Sequence, residues 1–208
     1  GNVYIDGELL EEDYLKGERN TYLLYGVTGS GKTEVYMEMI HRVLMDGKQA
    51  IVLIPEIALT YQTVMRFYGR FGNRVSILNS RMSAGERSDQ MERVKRGEVD
   101  VMIGPRSALF TPFSNLGLII IDEEQEHTYK SESTPRYHAR DVARFRCAHH
   151  NALLLMTSAT PSVETMYCAK TGRFWHCVST VCCRARCRRS IPRWERICIP
   201  VCWGIWPS

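Results

Sequence analysis

The stretch Gly26-Val27-Thr28-Gly29-Ser30-Gly31-Lys32-Thr33 constrains this chain more than any other. It fits G-x-x-x-x-G-K-[ST], in which glycines let successive backbone N–H groups close around phosphate oxygens at the start of a helix. The pattern carries meaning only between a buried strand and a helix. Both are legible here. Tyr22-Leu23-Leu24-Tyr25 in front is an apolar run of strand length. Behind, Glu34 to Leu44 places Val35, Met39, Ile40, Val43 and Leu44 on one helical face. Lys32 would reach the β- and γ-phosphates of a nucleotide, and the Thr33 hydroxyl would hold Mg²⁺. Gly-Ser-Gly also makes ordinary turns, but such a turn has no need of the lysine, the threonine and both flanking elements together.

The rest of the chain supplies a sheet for that loop. Ala50-Ile51-Val52-Leu53-Ile54 is a continuous apolar run, as a parallel strand buried on both faces requires. Val75 to Leu78, Asp100 to Ile103, Leu118 to Ile121 and Ala152 to Met156 predict further strands. Ala58 to Phe71 predicts a helix. Ser83 with Glu86 reads as a capping box and Gly97 as the stop of another helix. Only Met91 and Val94 are strongly apolar in that second helix, so it should lie mostly in solvent. Strands alternating with helices predict an α/β fold, a mostly parallel sheet covered by helices on both faces. Ligands of such sheets collect at the carboxyl ends of the strands. The P-loop, Glu56, Arg106, Asp122 and Ser158 all fall there. The opening residues 1–20 are acidic and weakly patterned, and Glu8, Glu11, Glu12, Asp13 and Glu18 predict a solvated approach to the first strand.

A second piece of chemistry is Asp122-Glu123, an acid pair at the end of a hydrophobic strand. Taken alone, such a pair also describes the start of a helix. Downstream of a complete P-loop, one carboxylate supports Mg²⁺ and its neighbour polarises the attacking water. Ser158-Ala159-Thr160 after the next strand strengthens the second reading.

Composition excludes little. With 208 residues, 44% of them hydrophobic, the chain can bury a substantial core. It contains no run near the ~18 apolar residues of a membrane span and no signal-peptide pattern at its start. Gly1 in place of Met is what an excerpt of a longer protein would show. The net charge of +4 misleads: from Arg173 onward there are seven Arg and one Glu, whereas residues 1–172 hold 20 Lys+Arg against 22 Asp+Glu. Global charge therefore says nothing about nucleic-acid binding by the main body. Residues 175–208 contain all four Trp and six of the eight Cys, yet no Leu, Lys or Asp. Their cysteines form no C-x-x-C pair, so zinc is not expected, and the segment reads as out of frame or disordered. A metal site and an unfamiliar but genuine tail are the alternatives.

Several stretches in order carry a family resemblance. Gly-Val-Thr-Gly-Ser-Gly-Lys-Thr-Glu-Val-Tyr, Ile-Pro-Glu-Ile-Ala-Leu-Thr, Gly-Pro-Arg-Ser-Ala-Leu-Phe, Asp-Glu-Glu and Ser-Ala-Thr-Pro-Ser resemble the first motor domain of superfamily 2 helicases. Within that superfamily they are similar to the bacterial replication-restart helicases. Tyr129-Lys130 and Pro135-Arg136-Tyr137-His138-Ala139-Arg140-Asp141 resemble that group's aromatic-rich loop. The resemblance covers residues 20–174 and implies a RecA-like P-loop NTPase domain over residues 21–174. It also implies ATP-driven 3′-to-5′ unwinding of single-stranded and forked DNA, primosome partners, a bacterial cytoplasmic setting and no membrane. On it, Gly26 to Thr33 would bind ATP, while Asp122 and Glu123, with Gln125 in the same box, would serve Mg²⁺ and water. Pro55, Glu56, Thr60, Arg106 and Ser107 would line the DNA path, and Ser158, Ala159 and Thr160 would couple it to the nucleotide. Tyr137 and His138 would stack on bases, and Lys130, Arg136 and Arg140 would meet phosphates. Local packing under a surface loop is the other reading of Tyr137 and His138.

The chain also departs from the family. Gln125 stands where His is usual; Gln both donates and accepts but never becomes charged. His127 comes two places too late to replace it. No Gln precedes the P-loop, so the usual adenine contact is missing. A second motor domain, source of an arginine finger, is not encoded, and the expectation is a weak ATPase that does not unwind DNA by itself. A non-catalytic, nucleotide-dependent DNA-binding module is the alternative, distinguished by DNA-stimulated phosphate release.

Overall fold

The computed structural model describes residues 4–5, 8–173 and 175–178. Eight strands form one sheet: β1 (Tyr4–Ile5), β2 (Thr21–Tyr25), β3 (Gln49–Leu53), β4 (Val75–Ile77), β5 (Val101–Gly104), β6 (Leu116–Ile121), β7 (Leu153–Ser158) and β8 (Trp175–Val178). Their spatial order is β1-β8-β2-β7-β6-β3-β5-β4, and every pairing is parallel. Parallel neighbours need crossovers, and the helices supply them. They are α1 (Glu8–Leu15), α2 (Lys32–Met45), α3 (Tyr61–Phe71), α4 (Ala84–Lys95), α5 (Ala139–His150) and α6 (Val163–Lys170).

The uninterrupted apolar runs are explained by cover on both faces. On one face Ala50, Val52, Leu118, Ile120, Leu153 and Leu155 pack under Leu10 and Tyr14 of α1, Ile40 and Val43 of α2 and Phe67 of α3. The alternate residues Ile51, Leu53, Ile119, Ile121, Leu154 and Met156 pack under Val94 of α4, Ala143 and Cys147 of α5 and Ala169 of α6. Every residue of β3, β6 and β7 is buried. As expected, Val94 is the only fully buried residue of α4, and the Ser83–Glu86 capping box is formed in both directions.

Four elements depart from expectation. The acidic lead-in contains α1, whose Leu10 and Tyr14, one turn apart, are buried while acids occupy its outer side. Asp13 also accepts a 2.8 Å hydrogen bond from the Tyr22 hydroxyl. The helix expected from Ala58 starts at Tyr61, because the Thr60 side chain accepts from the Thr63 N–H and caps it there. The span from Glu124 to Ala152, read without a helix, contains α5. Its buried face is Ala139, Ala143 and Cys147, side chains too small to give a strong apolar signal. The sheet also continues past the expected boundary at residue 174, since β8 pairs with β2 and β1. The expectations for residues 179–208 lie outside the described residues.

Gly104 ends β5 against the Leu78 backbone: a Cβ there would stand 2.8 Å from the Leu78 carbonyl oxygen and 3.1 Å from its Cβ. Backbone cannot yield as a side-chain tip can. Gly104→Ala should therefore destabilise the domain by about 1–3 kcal/mol in urea denaturation.

Candidate active site

The loop between β2 and α2 turns through two left-handed glycines, Gly29 at φ 78° and Gly31 at φ 85°. A side chain at either position would be strained, which is the physical demand behind the motif's spacing. Lys32 opens α2 and is 8% exposed. Its ammonium donates to the carbonyls of Gly26 (2.7 Å) and Val27 (3.2 Å), so the charge is held over the loop itself. The Gly26 N–H donates to the Ser158 carbonyl at 3.2 Å, tying the loop to the end of the neighbouring strand β7.

Asp122 follows β6. Thr157, on the adjacent strand, donates its hydroxyl to Oδ1, and the Glu123 N–H donates to the same oxygen at 3.1 Å. The Tyr36 hydroxyl of α2 donates to Oδ2 at 3.3 Å. Burial pushes the Asp122 carboxyl above its ordinary pKa; the hydroxyl and amide donors oppose that, and the neighbouring Glu123 charge adds to it. The Tyr36 hydroxyl is pushed far up, chiefly by burial and then by the Asp122 charge, so it remains a donor.

Glu123 has the left-handed φ of 50°, uncommon for a residue with a Cβ and a feature that gathers at functional sites. Its Oε2 accepts from Gln125 Nε2 at 2.8 Å. Gln125 Oε1 accepts from the Ser158 hydroxyl at 2.6 Å, whose oxygen accepts from the Thr160 N–H at 2.9 Å. The departure at Gln125 thus costs no connection: an amide has one donor end and one acceptor end, and both are used. Ala159 sits within this chain as the spacer between Ser158 and Thr160.

The third acid of the box has a separate task. Glu124 is 4% exposed and accepts from the Ser162 N–H (2.6 Å), the Ser162 hydroxyl (3.2 Å) and the Thr165 hydroxyl (2.9 Å). Arg140 Nη1 lies 4.0 Å from it and donates to Thr165 Oγ1 at 2.8 Å. Arg140, expected at a DNA phosphate, has its guanidinium turned towards this buried carboxylate network. His138 is likewise occupied. Its Nδ1 accepts from the Arg140 N–H at 3.2 Å, capping α5. Burial, then the Arg140 charge, lowers the His138 pKa and keeps the neutral, accepting form.

On the other side of the acid box lies a cleft of about 950 Å³. Pro55, Glu56, Arg106, Ser107 and Lys130 line it, five of the ten residues expected on a nucleic-acid path. Glu56 accepts from both the N–H and the hydroxyl of Ser80, each at 2.8 Å. Arg106 donates to the carbonyls of Thr128 (3.1 Å) and Lys130 (2.5 Å). Between those carbonyls sits Tyr129, whose buried hydroxyl donates to the backbone oxygens of Leu53 (3.1 Å) and Asp122 (2.6 Å). Thr60, Arg136, Tyr137, His138 and Arg140 are not part of the cleft lining. Tyr137 is half-buried and meets Phe110 edge-on, with ring centroids 5.6 Å apart.

Tyr36, Thr157 and Glu124 are the site's residues that motif reading leaves without a role. Tyr36 had one local signal, since it lies three places after Thr33 and so on the same side of α2. Thr157 had none, because its meeting with Asp122 depends on which strands pair.

A divalent cation fits the oxygen set. Among the described residues no group of three or more His, Cys, Asp and Glu side chains could hold a metal. Mg²⁺ takes one or two carboxylates plus substrate phosphates and waters more readily than an all-protein cage. Asp122 and Thr33 would be its protein ligands, on facing elements that Tyr36 bridges.

A model of DEAD/DEAH box helicases matches residues 11–167. The chain is 50% identical over 165 residues to the replication restart protein PriA of Bacillus subtilis, covering 79% of this chain and 20% of that protein. It is 48% identical over 159 residues to the PriA of Haemophilus influenzae, covering 76% and 22%. The chain thus spans about a fifth of the length of these curated relatives. Among solved structures, RecG bound to a three-way DNA junction superposes with a TM-score of 0.56 at 23% identity, covering 85% of this chain and 26% of that one. The Pyrococcus furiosus Hef helicase domain superposes at 0.55 and 18% identity, covering 83% and 36%. These two likenesses establish the fold. No helix of the described residues is long and apolar enough to cross a membrane.

Arg140→Ala should lower stability by about 1–3 kcal/mol, since a buried carboxylate would lose its cationic neighbour. Thermal or urea unfolding of the variant checks this. A change in DNA affinity without a change in stability would return Arg140 to the DNA face.

Proposed function

The chain belongs to the DEAD/DEAH box helicase family, and from that premise we propose that it is an ATP-hydrolysing motor domain of a 3′-to-5′ DNA helicase in replication restart. Its setting is the bacterial cytoplasm, its track single-stranded DNA at forked junctions, and its partners other primosome proteins. The observation that carries this reading is the hydrogen-bonded run Glu123–Gln125–Ser158, closed onto the P-loop by the Gly26 N–H. One set of side chains thereby ties the group that would handle water to the loop that would hold phosphates.

The roles follow from the chemistry of each residue. The backbone N–H groups from Gly26 to Thr33 and the α2 N-terminus suit phosphate oxygens, and Lys32 exchanges loop carbonyls for the terminal phosphates. Asp122 and Thr33 would hold Mg²⁺, which would supply neutralising charge to the phosphates when bound. Glu123 accepts the proton of the attacking water, and its link to Gln125 holds the carboxylate in place. Any shift of Ser158 is felt at both Gln125 and Gly26, since it bonds each of them. In the cleft, Arg106 and Lys130 meet DNA phosphates and Pro55, Glu56 and Ser107 shape the path. Tyr129 joins that wall to Asp122 through a single hydroxyl. Tyr137, paired with Phe110, is the remaining candidate for a base contact, in keeping with aromatic stacking on single strands.

Lys32→Ala should abolish ATP binding, whereas Glu123→Gln should retain binding and lose hydrolysis. Fluorescent-nucleotide titration and phosphate release measure the two, and unchanged affinity in Lys32→Ala would sink the nucleotide assignment.

Arg106→Ala and Lys130→Ala should each weaken single-stranded DNA binding at low salt and lower the log–log salt slope by about 0.7 per phosphate contact removed. Affinity measured across a salt series decides it; slopes equal to that of the unaltered chain would place the DNA elsewhere.

A further inference from the structure

The P-loop helix carries a residue that the roles above do not use. Tyr36 closes the stretch Gly-Lys-Thr-Glu-Val-Tyr and is 1% exposed. Its ring stacks on Phe67 of α3 with centroids 6.4 Å apart and planes 20° apart, and Phe67 leans on Phe71 in turn. Packing alone would be served by phenylalanine. A buried hydroxyl costs desolvation free energy unless it finds a partner. This one donates to Asp122 Oδ2 at 3.3 Å, from the same helix that carries Thr33 one turn earlier, and these are the two residues that would ligate the metal.

We propose that Tyr36 is a positioning residue for the divalent cation, holding the Asp122 carboxylate against the helix that carries Thr33 before Mg²⁺-nucleotide arrives; this rests on the nucleotide reading above. The geometry is two-sided. Thr157 fixes Oδ1 from β7, Tyr36 fixes Oδ2 from α2, and the carboxylate plane is held between them. Partners of metal ligands act in this way elsewhere: they orient the ligand and set its basicity without touching the metal. The phenol suits the task because it remains neutral, and so adds no charge of its own beside the ligand. The Phe67 stack holds the ring in one rotamer, so the hydroxyl is presented from a fixed direction.

The test uses the 208-residue chain and a fluorescent, non-hydrolysable ATP analogue titrated with and without Mg²⁺. Tyr36→Phe keeps the ring and its stack and removes only the hydroxyl. It should lose about 10–100-fold in Mg²⁺ affinity, the range typical for removing an outer partner of a metal ligand. Affinity for the analogue without Mg²⁺ and the melting temperature should stay as they were. Mn²⁺ binding followed by electron paramagnetic resonance gives a readout independent of turnover. Thr157→Val, which removes the opposite donor, should show the same Mg²⁺-selective loss, and the double variant should lose less than the sum. If Tyr36→Phe lowers the melting temperature, Thr157→Val carries the test with the aromatic stack intact. Wild-type Mg²⁺ dependence in these variants, or an equal loss with and without Mg²⁺, would overturn the proposal. Absence of any Mg²⁺-dependent binding by the unaltered chain is a different result, and it would sink the nucleotide reading itself.

Discussion

The pairing of β6 with β7 is the contact on which the site depends. Its register sets Ile121 beside Met156, so the next residues out of the sheet, Asp122 and Thr157, meet as carboxylate and hydroxyl. One step further, the Glu124 N–H donates to the Thr157 carbonyl at 3.0 Å, and Gln125 reaches Ser158. Because β7 also pairs with β2, with Tyr25 beside Ser158, the P-loop leaves the sheet at the same height. A slip of one residue in either register would turn these side chains to the opposite faces. The apolar packing of both faces resists such a slip.

Two carboxylates of the acid box, Glu124 and Asp122, are satisfied differently. Glu124 gathers a backbone N–H, two hydroxyls and a guanidinium, which fixes α5 and α6 against the acid box. Asp122 is held by hydroxyls and one amide, with no cation among its hydrogen-bond donors in the described residues. Burial without a counter-charge raises the cost of ionising it, and a divalent cation offsets that cost directly. The difference separates a structural acid from one suited to a metal, although they are two residues apart.

The order of strands lays the motifs along one edge. Across β2, β7, β6, β3 and β5 come the P-loop, Ser158-Ala159-Thr160, the acid box, Pro55-Glu56 and Pro105-Arg106-Ser107. The P-loop and the acid box occupy one half of that edge and the cleft the other. Tyr129 crosses the middle, bonded to the ends of both β3 and β6. Arg106 holds the carbonyls on either side of it, so the cleft wall and the acid box share one aromatic side chain.

Much of this was present in the sequence because burial leaves a local imprint. Strands covered on both faces must be apolar throughout, and Ala50 to Leu53 and Leu118 to Ile121 say so directly. The P-loop, the acid pair and the capping box are likewise spelled by spacing within a few residues. What depends on distant partners was not legible. The helix α1 hid behind its acids, and α5 hid behind alanines, because their burial comes from a sheet assembled elsewhere. The charge of Arg140 is local information, while the carboxylate beside it, Glu124, lies sixteen residues earlier on another element. The chemistry of each group was thus set by the sequence alone, and only the tertiary structure decided which groups meet, because strand order and register arise from long-range packing.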